Sequence, residues 1–159
     1  MQYCYGVIPL TKGEYTIVDI DDLNTLSKYR WYYTGKGYAA RRFSVAEGIG
    51  IQLMHRQIMG NPYGLTIDHK NQDKLDNQRS NLRLATDAQN KMNSVKPINN
   101  TSGYKGVTWN KRAKKYIAQI SHNNKQIYLG HFPDLMSAAI AYNDAATELR
   151  GDFASLNEV

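Results

Sequence analysis

The polar residues best suited to chemistry lie in the middle of the chain. Asp68 and His69 are adjacent, Asn81 follows twelve residues after His69, and Asn90 follows nine residues later. Carboxylate and amide oxygens suit Mg²⁺, which keeps several of its waters and takes only one or two protein ligands. A neutral imidazole can remove a proton from an attacking water. This set of residue types therefore predicts metal-assisted hydrolysis of a phosphodiester bond.

Two short strands and a helix must position these side chains. Residues 66–69 end in the Asp-His pair and predict one strand, and residues 82–85 predict a second after an Asn/Asp-rich loop. Thr86 and Gln89 have the spacing of a capping box, which predicts a helix that carries Asn90 in its first turn. In such a strand, loop, strand, helix unit, Asp68 and His69 could face Asn90.

These residues resemble the HNH endonucleases, which have the ββα-metal fold, and among them the phage and intron-encoded homing enzymes. The resemblance rests on Met54-His55-Arg56, Asp68-His69, Asn81-Leu82-Arg83 and Asn90. It implies that His69 is the general base and that Asn81 fixes the loop. It also implies that Asp68 and Asn90 ligate one divalent ion per active site, Mg²⁺ or Mn²⁺. Because Asn90 stands at the third motif position, the chain resembles single-metal nicking enzymes more than members that bind a transition metal tightly through histidine.

Two further polar residues, His55 and Arg56, precede this unit. They could contact phosphate, or they could pack at the start of a helix. We favour packing at a helix start as the more common role of such a pair.

Positive charge is concentrated in one stretch of the chain. The net charge is +6 and the pI is about 9.3. Residues 88–133 contain eight Lys or Arg and no Asp or Glu, so that window carries +8 and the remainder −2. The aromatic residues Tyr104, Trp109, Tyr116 and Tyr128 lie within it. A solvated basic face is the plainer interpretation, but this combination favours a surface for a polyanion.

The pattern from residue 104 onward predicts three strands followed by a helix. Residues 115–121 alternate between apolar and polar types, residues 122–125 suit a hairpin turn, and a further strand runs from Gln126 to His131. A helix with Asp134 as a plausible N-cap follows and ends near Gly151. Its apolar stripe predicts packing against the back of the sheet. The stripe comprises Leu135, Ala138, Ala139, Tyr142, Ala145, Ala146 and Leu149.

Residues 103–157 resemble the plant ethylene-response-factor (APETALA-type) DNA-binding domain. The matching segments are residues 102–107, 116–120, 128–132, 138–143 and 151–157. The resemblance implies a three-stranded antiparallel sheet in the major groove of double-stranded DNA, backed by one helix. The positions it places on the groove-facing side are Lys105, Thr108, Lys115, Gln119, Gln126 and Tyr128, with Trp109 near them. Several positions that are arginine in plant members are Lys, Thr, Ser or Gln here, so the plant target sequence should not be carried over. Edge packing remains the alternative for Trp109 and Tyr128.

Residues 1–54 predict short strands and turns, with a short helix from Asp21 to about Tyr29. We interpret this segment as a compact aromatic core that supports the nuclease unit. The alternative is a direct DNA contact through Arg41 and Arg42. The predicted fold class is α+β, divided into a β-rich segment (1–54), an HNH nuclease (55–93), a linker (94–103) and an ethylene-response-factor-type domain (104–159).

Several classes of protein are disfavoured by composition. The apolar runs fall short of the ~20 residues that a membrane span requires. Cys4 is the only cysteine and the four histidines lack a two-by-two spacing, so a structural zinc site is not expected. Without a visible secretory signal, we expect the cytoplasm of a bacterial or phage-infected cell.

Two functions fit these features. The first is a site-specific DNA endonuclease that nicks as a monomer or cuts both strands as a homodimer. The alternative is a non-catalytic DNA-binding regulator that retains an HNH fold. The presence of all of Asp68, His69 and Asn90 favours the first.

Overall fold

The computed structural model describes residues 5–45, 48–93 and 100–159. Cys4 and residues 94–99 of the predicted linker lie outside the described residues. The fold mixes helices with several antiparallel sheets, and the chain divides into two compact units, residues 1–90 and 91–159. The division into four segments remains a prediction. No helix within the described residues is long and apolar enough to span a membrane.

Within its described residues, the first unit contains three small antiparallel sheets and three short α-helices. Its elements are β1 (Tyr5–Pro9), β2 (Tyr15–Asp19), α1 (Ile20–Leu26), β3 (Tyr32–Tyr33), β4 (Ala39–Val45), β5 (Gly48–Leu53), α2 (Met54–Ile58), β6 (Thr66–His69), β7 (Leu82–Ala85) and the start of α3 (Asp87–Met92). Strand β1 pairs with β2, β4 lies between β3 and β5, and β6 pairs with β7. The predicted helix over Asp21 to Tyr29 is present but ends earlier, where Trp31 Nε1 donates to the carbonyl of Leu26 at 2.9 Å.

One hydrophobic core joins the N-terminal strands to the nuclease unit. It is formed by Ile8, Val18, Leu26, Trp31, Ala39, Met54, Ile58, Ile67 and Leu82. The N-terminal segment therefore supports β6 and β7, but the expectation of an aromatic core is wrong. Tyr5, Tyr15 and Tyr29 are exposed, and the side chains of the core are mainly aliphatic.

The loop between β6 and β7 lies against β2. Ile17 N donates to the carbonyl of Leu75 at 2.9 Å, and Asn77 N donates to the carbonyl of Ile17 at 2.8 Å. At its far end, Arg79 pairs with Asp22 through two hydrogen bonds of 2.8 and 2.7 Å. The loop is thus held by backbone and side-chain contacts to the N-terminal segment.

From residue 100 onward, the second unit is a three-stranded antiparallel sheet packed on one α-helix. Its elements are β8 (Val107–Asn110), β9 (Lys115–His122), β10 (Lys125–Phe132) and α4 (Leu135–Arg150), with β9 in the centre. Asn123 and Asn124 both have positive φ, as the predicted hairpin turn requires. Asp134 accepts a hydrogen bond from Ser137 N, so the predicted N-cap is confirmed. The buried positions of α4 are Ala138, Ala139, Tyr142 and Ala146, as the stripe predicted.

Candidate active site

Asp68 and Arg83 form a buried ion pair across β6 and β7. The two residues are register partners in the antiparallel pair. Arg83 Nε and Nη2 both donate to Asp68 Oδ2, at 2.8 and 2.5 Å. The side chains retain only 6% and 13% of their exposure, for Asp68 and Arg83 respectively. A carboxylate can persist at this burial because the guanidinium compensates its charge.

Asn81, the predicted loop-fixing residue, hydrogen-bonds to two backbone groups of the β6–β7 loop. Its Oδ1 accepts from Asn71 N at 3.0 Å, and its Nδ2 donates to the carbonyl of Asp76 at 2.8 Å. The side chain is buried, so water does not compete for these bonds. Asn81 therefore links two separate points of the β6–β7 loop.

His69 is buried at the end of β6 and contacts a side chain from the same loop. Its Nε2 lies 3.3 Å from Asn77 Oδ1, and Asn77 Nδ2 donates to Thr16 Oγ1 at 2.8 Å. Burial lowers the pKa of His69, although the hydrogen bond to Asn77 and the nearby Asp68 act in the opposite direction. The ring is therefore neutral near pH 7, which is the form that a general base needs.

A second imidazole and a phenol surround this ring. The His55 ring is 5.1 Å from that of His69 at an interplanar angle of 88°, and Tyr38 lies 5.2 Å from His55 and 6.1 Å from His69, between ring centroids. Burial, with smaller contributions from His69 and Arg56, lowers the pKa of His55 to about 3. Burial also raises the pKa of Tyr38, with Asp68 adding to the effect. The two rings that contact His69 are thus uncharged at neutral pH.

The packing interpretation of His55 and Arg56 is confirmed. His55 is buried on α2, and Arg56 donates to the carbonyls of Pro62 and Leu65 at 2.6 and 3.2 Å. Arg56 thereby closes the turn that leads into β6.

Arg41 is also engaged internally. Its guanidinium lies 4.1 Å from the Tyr29 ring centroid, and its Nε donates to Gln57 Oε1 at 2.9 Å. Arg42 is exposed, with its guanidinium 5.9 Å from the Tyr32 ring centroid. A DNA contact by Arg42 remains a prediction, whereas Arg41 already has aromatic and amide partners.

Asn90 stands on the first turn of α3, where it is exposed. The capping box is present as predicted: Thr86 N donates to Gln89 Oε1 at 2.9 Å, and Gln89 N donates to Thr86 Oγ1 at 3.2 Å. Asn90 N then donates to the carbonyl of Thr86 at 2.9 Å. The contacts around the β6–β7 pair bring together Asp68, His69 and the loop residues, and the joint action of Asp68 and Asn90 on a metal remains a prediction.

In the second unit, most of the predicted DNA-contacting residues share one face of the sheet. Val107, Ala118 and Ile120 face α4 in the core, and strand alternation turns their neighbours outward. Register pairs Gln119 with Tyr128, and Ser121 with Gln126, on that outward side. The outward residues are Thr108, Lys115, Gln119, Gln126 and Tyr128. The Tyr128 hydroxyl is hydrogen-bonded to His131 Nδ1 on the same face.

Trp109 faces the other way. Register pairs it with Tyr116, and the two ring centroids are 4.8 Å apart. The indole remains 47% exposed. Edge packing therefore describes Trp109 better than a position on the outward face.

The predicted placement of Lys105 on the groove-facing side is wrong. Its Nζ donates to the carbonyl of Met92 at 3.4 Å, and Arg150 of α4 donates to the same carbonyl at 3.3 Å. The side chain of Asn157 binds both backbone groups of Lys105. Lys105 N donates to Asn157 Oδ1 at 2.6 Å, and Asn157 Nδ2 donates to the Lys105 carbonyl at 3.1 Å. Burial lowers the pKa of Lys105 to about 8, with Arg150 contributing. The side chain therefore lies on the helix side of the sheet.

Comparison with known proteins identifies the family. Residues 53–92 match the family model described as HNH endonuclease. An uncharacterized HNH endonuclease of Acanthamoeba polyphaga mimivirus is 33% identical over 154 residues, which cover 93% of this chain and 77% of that protein. The chain belongs to the HNH endonuclease family. The family match and the name of the viral relative support a DNA endonuclease rather than a non-catalytic DNA-binding regulator.

Two further relatives match parts of the HNH endonuclease. Protein 3.8 of Escherichia phage T7 is 33% identical over 93 residues, which are 58% of this chain and 76% of that protein. An AP2-like ethylene-responsive transcription factor of Arabidopsis thaliana is 40% identical over 63 residues, which are 40% of this chain and 13% of that protein. The plant likeness is therefore confined to a segment of both proteins.

HNH nucleases typically use a divalent metal, and the donors of this HNH endonuclease suit a hard cation. No three or more His, Cys, Asp or Glu side chains converge on a metal site within residues 5–45, 48–93 and 100–159. Mg²⁺ needs only one or two protein ligands, because it keeps most of its waters. A carboxylate offers about four lone-pair sites, so this residue type can accept from a guanidinium and also ligate a cation. The site therefore fits a largely hydrated cation better than a closed protein cage.

Three residues of this site were not found from the sequence: Thr16, Tyr38 and Asn77. Thr16 and Asn77 are 61 positions apart, so no local spacing marks their contact. Asn77 lies in a loop whose Asn and Asp residues all suit turns. Arg83 was part of the recognised motif, but only the strand register reveals that it faces Asp68.

Proposed function

We propose that this HNH endonuclease hydrolyses DNA at specific sites in a metal-dependent, homing-like reaction, with His69 as the general base. The observation that carries the proposal is that His69, buried and neutral, directly follows the buried Asp68 at the end of one strand. A base and a metal ligand held side by side can act on the same phosphate.

His69 would take a proton from a water molecule while the water oxygen forms a bond to phosphorus. The bond from phosphorus to the 3′ oxygen breaks, and that oxygen leaves with its electron pair and takes a proton from solvent. The products are a 5′-phosphate and a 3′-hydroxyl. Asp68 and Asn90 would hold one Mg²⁺ or Mn²⁺, which neutralises charge on the phosphate and the leaving oxygen when bound.

The second unit would read the target. Its likeness to an ethylene-response-factor domain supports major-groove binding by the outward face of the sheet. Lys115 would contribute to phosphate binding, whereas Gln119 and Gln126 carry amides that can pair with base edges. A monomer with one active site would nick, and a two-fold dimer could cut both strands.

Cleavage of supercoiled plasmid tests the chemistry. With Mg²⁺ or Mn²⁺ the protein should convert plasmid to nicked or linear forms, and excess EDTA should abolish the reaction. His69→Ala should lower the single-turnover rate by roughly 10²–10⁴-fold, the usual contribution of a general base, with DNA affinity nearly unchanged. His122→Ala removes an imidazole of the second unit and should cut at the wild-type rate. Wild-type cleavage by His69→Ala, or cleavage that persists in EDTA, would refute this mechanism.

A further inference from the structure

A chain of three hydrogen bonds runs from the His69 ring into the interior of the first unit. It continues from His69 Nε2 to Asn77 Oδ1 (3.3 Å), from Asn77 Nδ2 to Thr16 Oγ1 (2.8 Å), and from Thr16 Oγ1 to the Leu75 carbonyl oxygen (2.6 Å). Thr16 and Asn77 are both 0% exposed. Because water does not reach these groups, each must find its partner within the protein.

The donor and acceptor roles in this series of hydrogen bonds are fixed by the Leu75 carbonyl. The Leu75 carbonyl can only accept, so Thr16 must direct its single hydroxyl proton there; the alternative acceptor, Met54 Sδ, is weak and 3.9 Å away. Thr16 Oγ1 is then an acceptor toward Asn77. The carbonyl oxygen of Lys74 lies 3.5 Å from the same Asn77 nitrogen. Two acceptors therefore face one end of the Asn77 amide, and that end must be the NH₂ group.

The other end of the amide fixes the imidazole. Since Asn77 Oδ1 can only accept, His69 Nε2 must carry the proton, and the neutral ring then has its lone pair on Nδ1. We propose that Asn77 and Thr16 are positioning residues that hold His69 in the Nε2–H tautomer, so that Nδ1 is the atom that accepts the proton of the attacking water. The proposal rests on His69 being the general base, as argued above.

If the oxygen and the NH₂ group of the Asn77 amide exchanged places, the other tautomer of His69 would be favoured. An NH₂ group against Nε2 would require the lone pair there, which moves the ring proton to Nδ1 and removes the base from that atom. The backbone of Asn77 is anchored separately, because its N–H donates to the Ile17 carbonyl at 2.8 Å. A change at Thr16 can therefore alter the amide orientation while the loop stays attached to β2.

Ring-nitrogen NMR of the full-length, metal-free protein tests the tautomer directly. Long-range ¹H–¹⁵N correlation spectra distinguish a protonated ring nitrogen from one with a lone pair, and loss of the signals in His69→Ala assigns them. We expect a protonated Nε2 and an unprotonated Nδ1 at a pH where the ring is neutral. A protonated Nδ1 in the wild-type protein would overturn the proposal, whether or not any variant folds.

Two substitutions at Thr16 form a matched pair. Thr16→Ser keeps the hydroxyl and should retain the wild-type tautomer and rate. Thr16→Val keeps the shape but removes the acceptor for Asn77, so Nδ1–H signals should appear and kcat should fall about tenfold, the equivalent of one buried hydrogen bond, with KM nearly unchanged. Thr16→Val with a pure Nε2–H tautomer would overturn the proposal even if its kcat fell, since the loss would then be structural. Because the spectra need neither metal nor DNA, they are independent of whether His69→Ala abolishes cleavage.

Discussion

Replacing Arg83 with methionine should destabilise the first unit by about 3–5 kcal/mol, the range observed when one partner of a buried ion pair is removed. Methionine preserves most of the apolar stem, so the change isolates the guanidinium. The carboxylate of Asp68 would stay in its buried position without the guanidinium that compensates its charge. This expectation follows from the burial of the pair as much as from its short distances.

The magnitude follows from the geometry. Two unit charges 2.8 Å apart, the distance from Arg83 Nε to Asp68 Oδ2, attract by about 6 kcal/mol at an effective dielectric constant of about 20. Burial of both side chains keeps solvent from screening this attraction. Desolvation of the two groups offsets part of it in the wild-type protein. In Arg83→Met the desolvation of Asp68 remains while the attraction is lost, which yields the net figure of about 3–5 kcal/mol.

Urea unfolding monitored by tryptophan fluorescence measures this cost. The Trp109→Phe background leaves Trp31, which is buried in the core of the first unit, as the reporter. Arg79→Met is the matched control, because Arg79 pairs with Asp22 while its side chain is 55% exposed. That surface pair should contribute no more than about 1 kcal/mol. Asp68→Asn should recover part of the loss in Arg83→Met, and equal small effects of the two arginine variants would refute the reasoning.

Three further outcomes are expected. The free energy of unfolding should fall as pH drops from about 6.5 toward 3, by up to about 1.4 kcal/mol per unit, because the unfolded state then binds a proton that folded His55, with its pKa of about 3, does not. His55→Gln should reduce the dependence of the free energy of unfolding on pH in urea titrations at pH 4 to 7. If that dependence is unchanged, the proton is taken up by a group other than His55. Lys115→Ala should reduce the slope of log affinity against log salt by about one unit, whereas Lys105→Ala, on the helix side, should leave it unchanged. Gln119→Ala should relax preference at one base pair by roughly 1–3 kcal/mol in binding titrations on target and variant duplexes, and uniform weakening across sequences would exclude base readout.

The features predicted correctly from sequence depend on short-range patterns. Alternation in β9 predicted which residues share a face with Gln119, and the spacing of Thr86 and Gln89 predicted the start of α3. In each case the residues that determine the structure lie within a few positions of one another. Local geometry was therefore sufficient.

The features that were missed depend on contacts between distant parts of the chain. Lys105 precedes β8 in a turn, so strand alternation does not determine its direction. Asn157, 52 residues later, binds both its N–H and its carbonyl and thereby turns the side chain toward Arg150. The bond from Asn77 to Thr16 likewise requires β2 to lie beside the β6–β7 loop. No periodicity in the sequence contains that information.

The same contacts argue that the nuclease begins well before the family motif. Residues 53–92 alone form a segment of about forty residues, which is close to the size at which a chain cannot bury enough apolar surface to fold without extra constraints. Ile67 and Leu82 of the motif pack in the same core as Ile8, Val18 and Trp31. The hydrogen-bond chain from His69 also passes through Thr16 of β2. Because both the stability and the orientation of the proposed base depend on it, the N-terminal segment is part of the catalytic unit rather than an appendage to it.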